Sequence, residues 1–195
     1  WATARFRYKN DMKSIKVGLL GIGTVGGGVF NVLQRNHDEI LRRAGIGIEI
    51  AMVADLDTAR ARSLVGPDVK VVADARAVIA NPGIDIVVEL IGGYGIAKQL
   101  VLEAIEAGKH VVTANKALLA VHGTEIFLAA HRKGVMVAFE AAVAGGIPII
   151  KSLREGLTAN RIEWIAGIIN GTTNFILSEM RDKGLDFDVV LKEAQ

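Results

Sequence analysis

Three glycines at close, uneven spacing, Gly21-Ile22-Gly23-Thr24-Val25-Gly26, separate an apolar run of strand length from a helical pattern that begins at Val25. No other stretch restricts the fold as much. A Gly-x-Gly-x-x-Gly match alone carries little weight, since glycines gather in turns for structural reasons; a strand before it and a helix after it give it meaning. In that context Gly21 permits the tight turn, Gly23 lets a phosphate group approach the backbone, and Gly26 lets helix and strand pack closely. The helix start adds unbonded N–H groups and a partial positive charge, a setting for phosphate oxygens.

The same alternation continues to about residue 140. Apolar runs at 15–21, 48–54, 69–72, 84–89, 110–113 and 135–139 have strand length, and helical patterns lie between them at 25–43, 58–64, 74–80, 96–107 and 117–133. Strictly alternating strands and helices imply a parallel sheet with right-handed crossovers. Apolar residues make up 51% of the chain and aromatics 5%, with 22 glycines, a mix suited to strands buried on both faces under closely packed helices. Residues 12–140 are therefore expected to form an α/β domain, a Rossmann-type doubly wound parallel sheet that binds a nicotinamide dinucleotide.

Asp55 ends the second run, where such folds place the carboxylate that receives the adenosine ribose hydroxyls; the alternative role is a helix cap. Its distance from Gly26 exceeds the usual ~20 residues, which a long first helix and the loop 44–47 account for. Asp55 and Asp57 would repel a 2′-phosphate and favour NAD, whereas Arg60 and Arg62 could accept NADP; both remain open. Gly92 and Gly93 follow the fourth run, at the nicotinamide end of such a sheet or in a plain turn. Lys116 lies just past the fifth run, at the strand end where open α/β sheets bind ligands. An ammonium there can hold a carboxylate or polarise a carbonyl oxygen; otherwise it is a solvated lysine. Glu140 interrupts an apolar region, and a buried carboxylate needs hydrogen bonds or a cation.

Several classes are excluded. The formal net charge is +2 with no basic run interleaved with aromatics, so nucleic acid is not an expected partner. With no cysteine there are no disulfides or thiolate metal sites, which fits a cytoplasmic protein. The longest apolar region, 135–150, is broken by Glu140 and by Gly145-Gly146-Ile147-Pro148 and does not suit a bilayer span. The stretch 1–11 lacks the apolar core of a signal peptide and reads as an extension ahead of Met12. His37, His110, His122 and His131 show no ligand spacing and read as structural.

After Phe139 the pattern changes. A helix is expected at 148–156, a strand at 161–169, a helix starting from Asn170-Gly171-Thr172-Thr173-Asn174, and a last one capped by Asp186 that runs to Gln195 without a closing signal. Residues 141–195 thus read as the incomplete beginning of a second, α+β domain.

Four stretches in this order resemble homoserine dehydrogenase: the glycine hexad at 21–26, Thr113-Ala114-Asn115-Lys116-Ala117-Leu118-Leu119-Ala120, Glu140-Ala141-Ala142-Val143-Ala144-Gly145-Gly146-Ile147-Pro148-Ile149-Ile150, and Gly171-Thr172-Thr173-Asn174-Phe175-Ile176-Leu177. The likeness runs from Met12 to Gln195. It implies NAD- or NADP-dependent interconversion of L-homoserine and L-aspartate 4-semialdehyde, on the route to threonine, methionine and isoleucine. It also implies cofactor contacts at Ile22, Thr24 and Val25, a supporting role for Lys116, and substrate contacts at Gly171 and Thr172. A sodium ion held among Glu140, Val143, Gly145 and Ile147, and a homodimer formed through the second domain, are implied in the same way. The family's paired Asp residues, substrate-binding Glu and acid/base Lys have no counterpart in the 195 residues, so this chain is expected to bind cofactor without completing the reaction. Another Rossmann-type amino-acid or semialdehyde dehydrogenase, or a non-catalytic dinucleotide sensor, is the alternative.

Overall fold

The computed structural model describes residues 14–194; the extension expected at 1–11 and the start at Met12 lie outside the described residues. Contacts divide the chain into two compact units, one through Ile150 and one from Lys151 onward.

The first unit is a six-stranded sheet made of β1 (Ile15–Leu20), β2 (Ile48–Ala54), β3 (Lys70–Val72), β4 (Ile86–Glu89), β5 (His110–Thr113) and β6 (Val137–Ala138). The strands lie in the order β3-β2-β1-β4-β5-β6 and every pair is parallel. That is the order of the dinucleotide-binding doubly wound fold. It puts the point where the winding reverses between β1 and β4. Leu20↔Glu89 and Glu89↔Thr113 are register partners at the carboxyl ends of β1, β4 and β5.

Neighbouring residues on each strand face opposite layers. Leu19 and Val53 join Ile22, Phe30, Ala61 and Val65 under α1 (Thr24–Arg35) and α3 (Thr58–Val65). Leu20, Met52 and Ala54 point the other way. They meet residues of α4 (Ala75–Ile79), α5 (Gly95–Glu106) and α6 (Lys116–Lys133), among them Val78, Leu100 and Ile126. Burial on both faces explains why the strands read as continuous apolar runs.

The helix expected over 25–43 is two helices, since Asn36 (φ −104°, ψ 16°) interrupts it and α2 (His37–Ala44) follows. Asn36 sits ahead of Asp38 and Glu39 in the first turn of α2, a sequence start signal of its own. The run at 135–139 shrinks to a two-residue edge strand because β6 pairs only with β5, through Val111 and Val112.

A short helix α7 (Ile149–Lys151) spans the boundary, and the second unit continues with wider π geometry over Ser152–Gly156. Helices α8 (Gly171–Lys183) and α9 (Phe187–Ala194) follow, with Ile176 and Val190 buried. The strand expected at 161–169 does not form. No segment among the described residues pairs with it, and Trp164, Ile168 and Ile169 are 77%, 79% and 87% exposed. A strand depends on hydrogen bonds from a neighbour, so an apolar alternation without one stays irregular. No helix among the described residues is long and apolar enough to cross a membrane.

Candidate functional site

The expected ligand-binding residues of the first unit collect at the carboxyl ends of the strands. Gly21 turns the chain out of β1 with φ +90°, and a Cβ there would stand 3.0 Å from the Leu90 carbonyl oxygen. Gly21 N–H donates to Ala54 O at 2.9 Å and Leu90 N–H to Leu20 O at 2.9 Å, so the segments leaving β1, β2 and β4 are tied together. A Cβ on Gly26 would lie 2.2 Å from the Gly21 carbonyl oxygen, whereas one on Gly23 would meet nothing within 4 Å. The first contact makes Gly26 a packing requirement. The open space at Gly23 fits the approach of a ligand phosphate to the backbone.

Helix α1 begins without a side-chain cap and without an acidic residue in its first turn, and its first α-helical bond runs from Gly27 N–H to Gly23 O. The N–H groups of Thr24, Val25 and Gly26 therefore have no helical acceptor. Thr24 and Val25 are exposed, while the Ile22 side chain is 1% exposed and belongs to the core. The backbone of Ile22 has a different task. Its N–H donates to the Asp55 carboxylate at 2.8 Å, and the second oxygen of Asp55 accepts from Asp57 N–H at 2.9 Å. The helix cap is Asp57, which receives Arg60 N–H at 3.0 Å. That leaves Asp55 beside the glycine turn.

A cleft of about 440 Å³ opens there, with Gly23, Asp55, Leu56, Arg76, Ile91 and Ile96 in its wall. Leu56 is 93% exposed, an apolar side chain beside an open cleft. Arg76 is the cation in the wall, but its guanidinium is forked onto Glu103 at 2.9–3.1 Å. The hydrogen-bonded Glu103 carboxylate pushes the Arg76 pKa up.

On the other side of the winding reversal, Gly92 and Gly93 form the turn after β4 with φ +83° and +66°. Lys116 opens α6, exposed and with no ion pair among the described residues. A residue that the strand pattern did not mark as functional joins these two segments. Glu89, fully buried at the end of β4, accepts Ile91 N–H at 2.9 Å, Gly92 N–H at 3.3 Å and the Thr113 hydroxyl at 2.7 Å. Thr113 Oγ accepts Asn115 N–H at 3.0 Å; Asn115 donates its side-chain amide to Gly93 O and caps α6 by accepting Leu118 N–H at 3.0 Å. The available sequence signal was a carboxylate closing an otherwise apolar buried run.

Glu140 is half-buried rather than enclosed, because it starts a 3-10 turn, Glu140–Ala142, instead of extending β6. Its carboxylate accepts Ile150 N–H at 2.9 Å. Val143, Gly145 and Ile147 line the exposed loop that follows, where Ala144 (φ 46°) and Gly146 (φ 84°) take left-handed backbone. In the second unit, Gly171 and Thr172 form the first turn of α8, and the cap is Asn170, which receives Thr173 N–H at 2.8 Å. Among the histidines, His110 accepts Met136 N–H at 3.0 Å at the start of β5, and the other three lie in α2 and α6.

Comparison with known proteins agrees with this fold. A relative from Pseudomonas aeruginosa named homoserine dehydrogenase is 64% identical over 190 residues, covering 94% of this chain and 42% of its own. The crystal structure of a homoserine dehydrogenase from Thiobacillus denitrificans superposes with TM-score 0.83 at 65% identity, covering 94% of this chain and 42% of that one. A hyperthermophilic archaeal homoserine dehydrogenase solved in complex with NADPH shares the fold, with TM-score 0.72 at 24% identity, over 93% of this chain and 60% of its own. The chain thus spans about 42% of the length of the bacterial relatives. Residues 148–195 match the family model described as homoserine dehydrogenase. Residues 21–140, more than half the chain and the sheet from its glycine turn onward, match the model of the homoserine dehydrogenase NAD-binding domain, and the chain belongs to that family.

Proposed function

We propose that the first unit binds a nicotinamide dinucleotide along the carboxyl ends of its strands, as part of an enzyme that interconverts L-homoserine and L-aspartate 4-semialdehyde. The observation that carries this reading is the glycine turn at the winding reversal, open at Gly23 and backed by the unbonded N–H groups of α1. Those N–H groups hold the pyrophosphate and Asp55 receives ribose hydroxyls. NAD is preferred over NADP, because Asp55 and Asp57 present carboxylates at the ribose end and Arg76 is engaged by Glu103. Bound nicotinamide supplies the hydride acceptor for the alcohol carbon, the hydroxyl proton being released as the aldehyde forms. Lys116 orients the substrate by its carboxylate or carbonyl oxygen.

The reading extends to a sodium ion held by Glu140 and the carbonyls of Val143, Gly145 and Ile147, the set that the family resemblance implies, since oxygen-only ligation suits a hard cation. Such an ion would brace the loop without taking part in hydride transfer. A homodimer belongs to the same reading, supported by the exposed Trp164, Ile165, Ile168 and Ile169, side chains that a subunit contact would cover.

A chimera tests the activity. With this chain in place of the matching part of the Thiobacillus denitrificans protein, L-homoserine should be oxidised and NAD reduced. A folded chimera without turnover would contradict the reading. Lys116→Ala in the same chimera should lower turnover about a hundredfold, the scale of losing one positioned electrostatic group. NADH affinity should stay within about twofold; unchanged turnover would make Lys116 a solvated bystander.

A further inference from the structure

We infer that Glu89 is a positioning residue for the nicotinamide half of the site, locking the turn after β4 to the segment that presents Lys116. This rests on the cofactor reading above. The carboxylate is fully buried, and every contact named for it is a donated hydrogen bond: two from backbone N–H groups of its own turn and one from Thr113 across the register pair Glu89↔Thr113. The links then run from Thr113 Oγ to Asn115 N–H, and from the Asn115 side-chain amide to Gly93 O. They return along the turn to Ile91 and Gly92. The result is a closed ring of hydrogen bonds spanning two strand ends.

The ring exceeds what strand pairing needs. The sheet ends of β1, β2 and β6 are Leu20, Ala54 and Ala138, apolar residues that terminate parallel strands without a buried charge. A buried carboxylate is costly unless fully hydrogen-bonded, and an apolar residue is a common isosteric substitute where stability alone matters. What the carboxylate adds is direction. By drawing the N–H groups of Ile91 and Gly92 inward it sets the left-handed turn at Gly92 and Gly93, and by holding Thr113 it orients Asn115, which caps the helix that begins with Lys116. The backbone that would face the nicotinamide ring and the ammonium that would face the substrate are therefore fixed by one group.

The test compares two ligands on the intact chain: NADH, followed by nicotinamide fluorescence, and ADP-ribose, which lacks the nicotinamide ring. Glu89→Gln replaces one acceptor oxygen with a donor, so Thr113 loses the acceptor for its hydroxyl. NADH affinity should fall about tenfold, the scale of one hydrogen bond to a charged group, while ADP-ribose affinity stays within about twofold. Thr113→Val removes both links made by the hydroxyl, to Glu89 and to Asn115 N–H, and leaves the carboxylate in place. It should reproduce the pattern, and Thr113→Ser should restore the NADH affinity. If Glu89→Gln does not fold, Thr113→Val and Thr113→Ser decide. Equal loss of both ligands in a variant, or no loss of NADH binding, would overturn the proposal. Failure of the unaltered chain to bind either ligand would instead remove the cofactor reading on which it stands.

Discussion

Gly26→Ala is expected to abolish cofactor binding and to destabilise the first unit by about 3 kcal/mol, at the upper end of overpacking costs. The added methyl would stand 2.2 Å from the Gly21 carbonyl oxygen and 3.1 Å from its carbon. Both belong to backbone that cannot rotate away as a side chain would. Relief requires α1 to lift from β1, which moves the Thr24, Val25 and Gly26 N–H groups out of line. Gly28→Ala is the internal control. It lies in the same helix with nothing within 4 Å of the new atom, so it should gain about 0.5–1 kcal/mol of helix propensity and keep NADH binding. Urea unfolding and NADH titration of the two variants separate these outcomes. Similar behaviour would refute the packing role of Gly26.

Asp55→Ala is expected to weaken NADH binding about thirtyfold, as lost charge-assisted hydrogen bonds to the ribose would. It should weaken NADPH binding much less. Two effects add for NADH: the ribose hydroxyls lose their acceptor, and the Ile22 and Asp57 N–H groups, bonded to Asp55 at 2.8 and 2.9 Å, are released, which loosens the glycine turn. For NADPH the second effect is offset, because a negative charge is removed from beside the 2′-phosphate. Titration of both nucleotides reads the ratio directly. Equal loss would mean that Asp55 only braces the turn.

The sheet was legible because its strands are buried on both faces, so the apolar runs at 48–54 and 110–113 coincide with β2 and β5. Two positions of the glycine turn were equally legible, since Gly21 and Gly26 each answer a separate steric demand, the left-handed turn out of β1 and the close approach of α1. Two kinds of feature stayed hidden. A strand exists through its neighbour, and no property of 161–169 alone reveals whether one is present. A hydrogen-bond ring such as the one around Glu89 joins residues 24 positions apart, and only the register of β4 on β5 brings Glu89 and Thr113 side by side. The division of the expected first helix at Asn36 belongs to neither kind, since the capping signal was present and was outweighed by the continuous helical pattern around it.

The most direct test of the account is a fluorescence titration of the 195-residue chain with NADH. Saturable binding of one NADH per chain is predicted, displaced by ADP-ribose, with a Kd below about 1 mM, the upper end of common enzyme–ligand ranges. A folded chain that shows no saturable binding of NADH or NADPH at several millimolar would contradict the claim that the Gly21–Gly26 turn and Asp55 form a dinucleotide site.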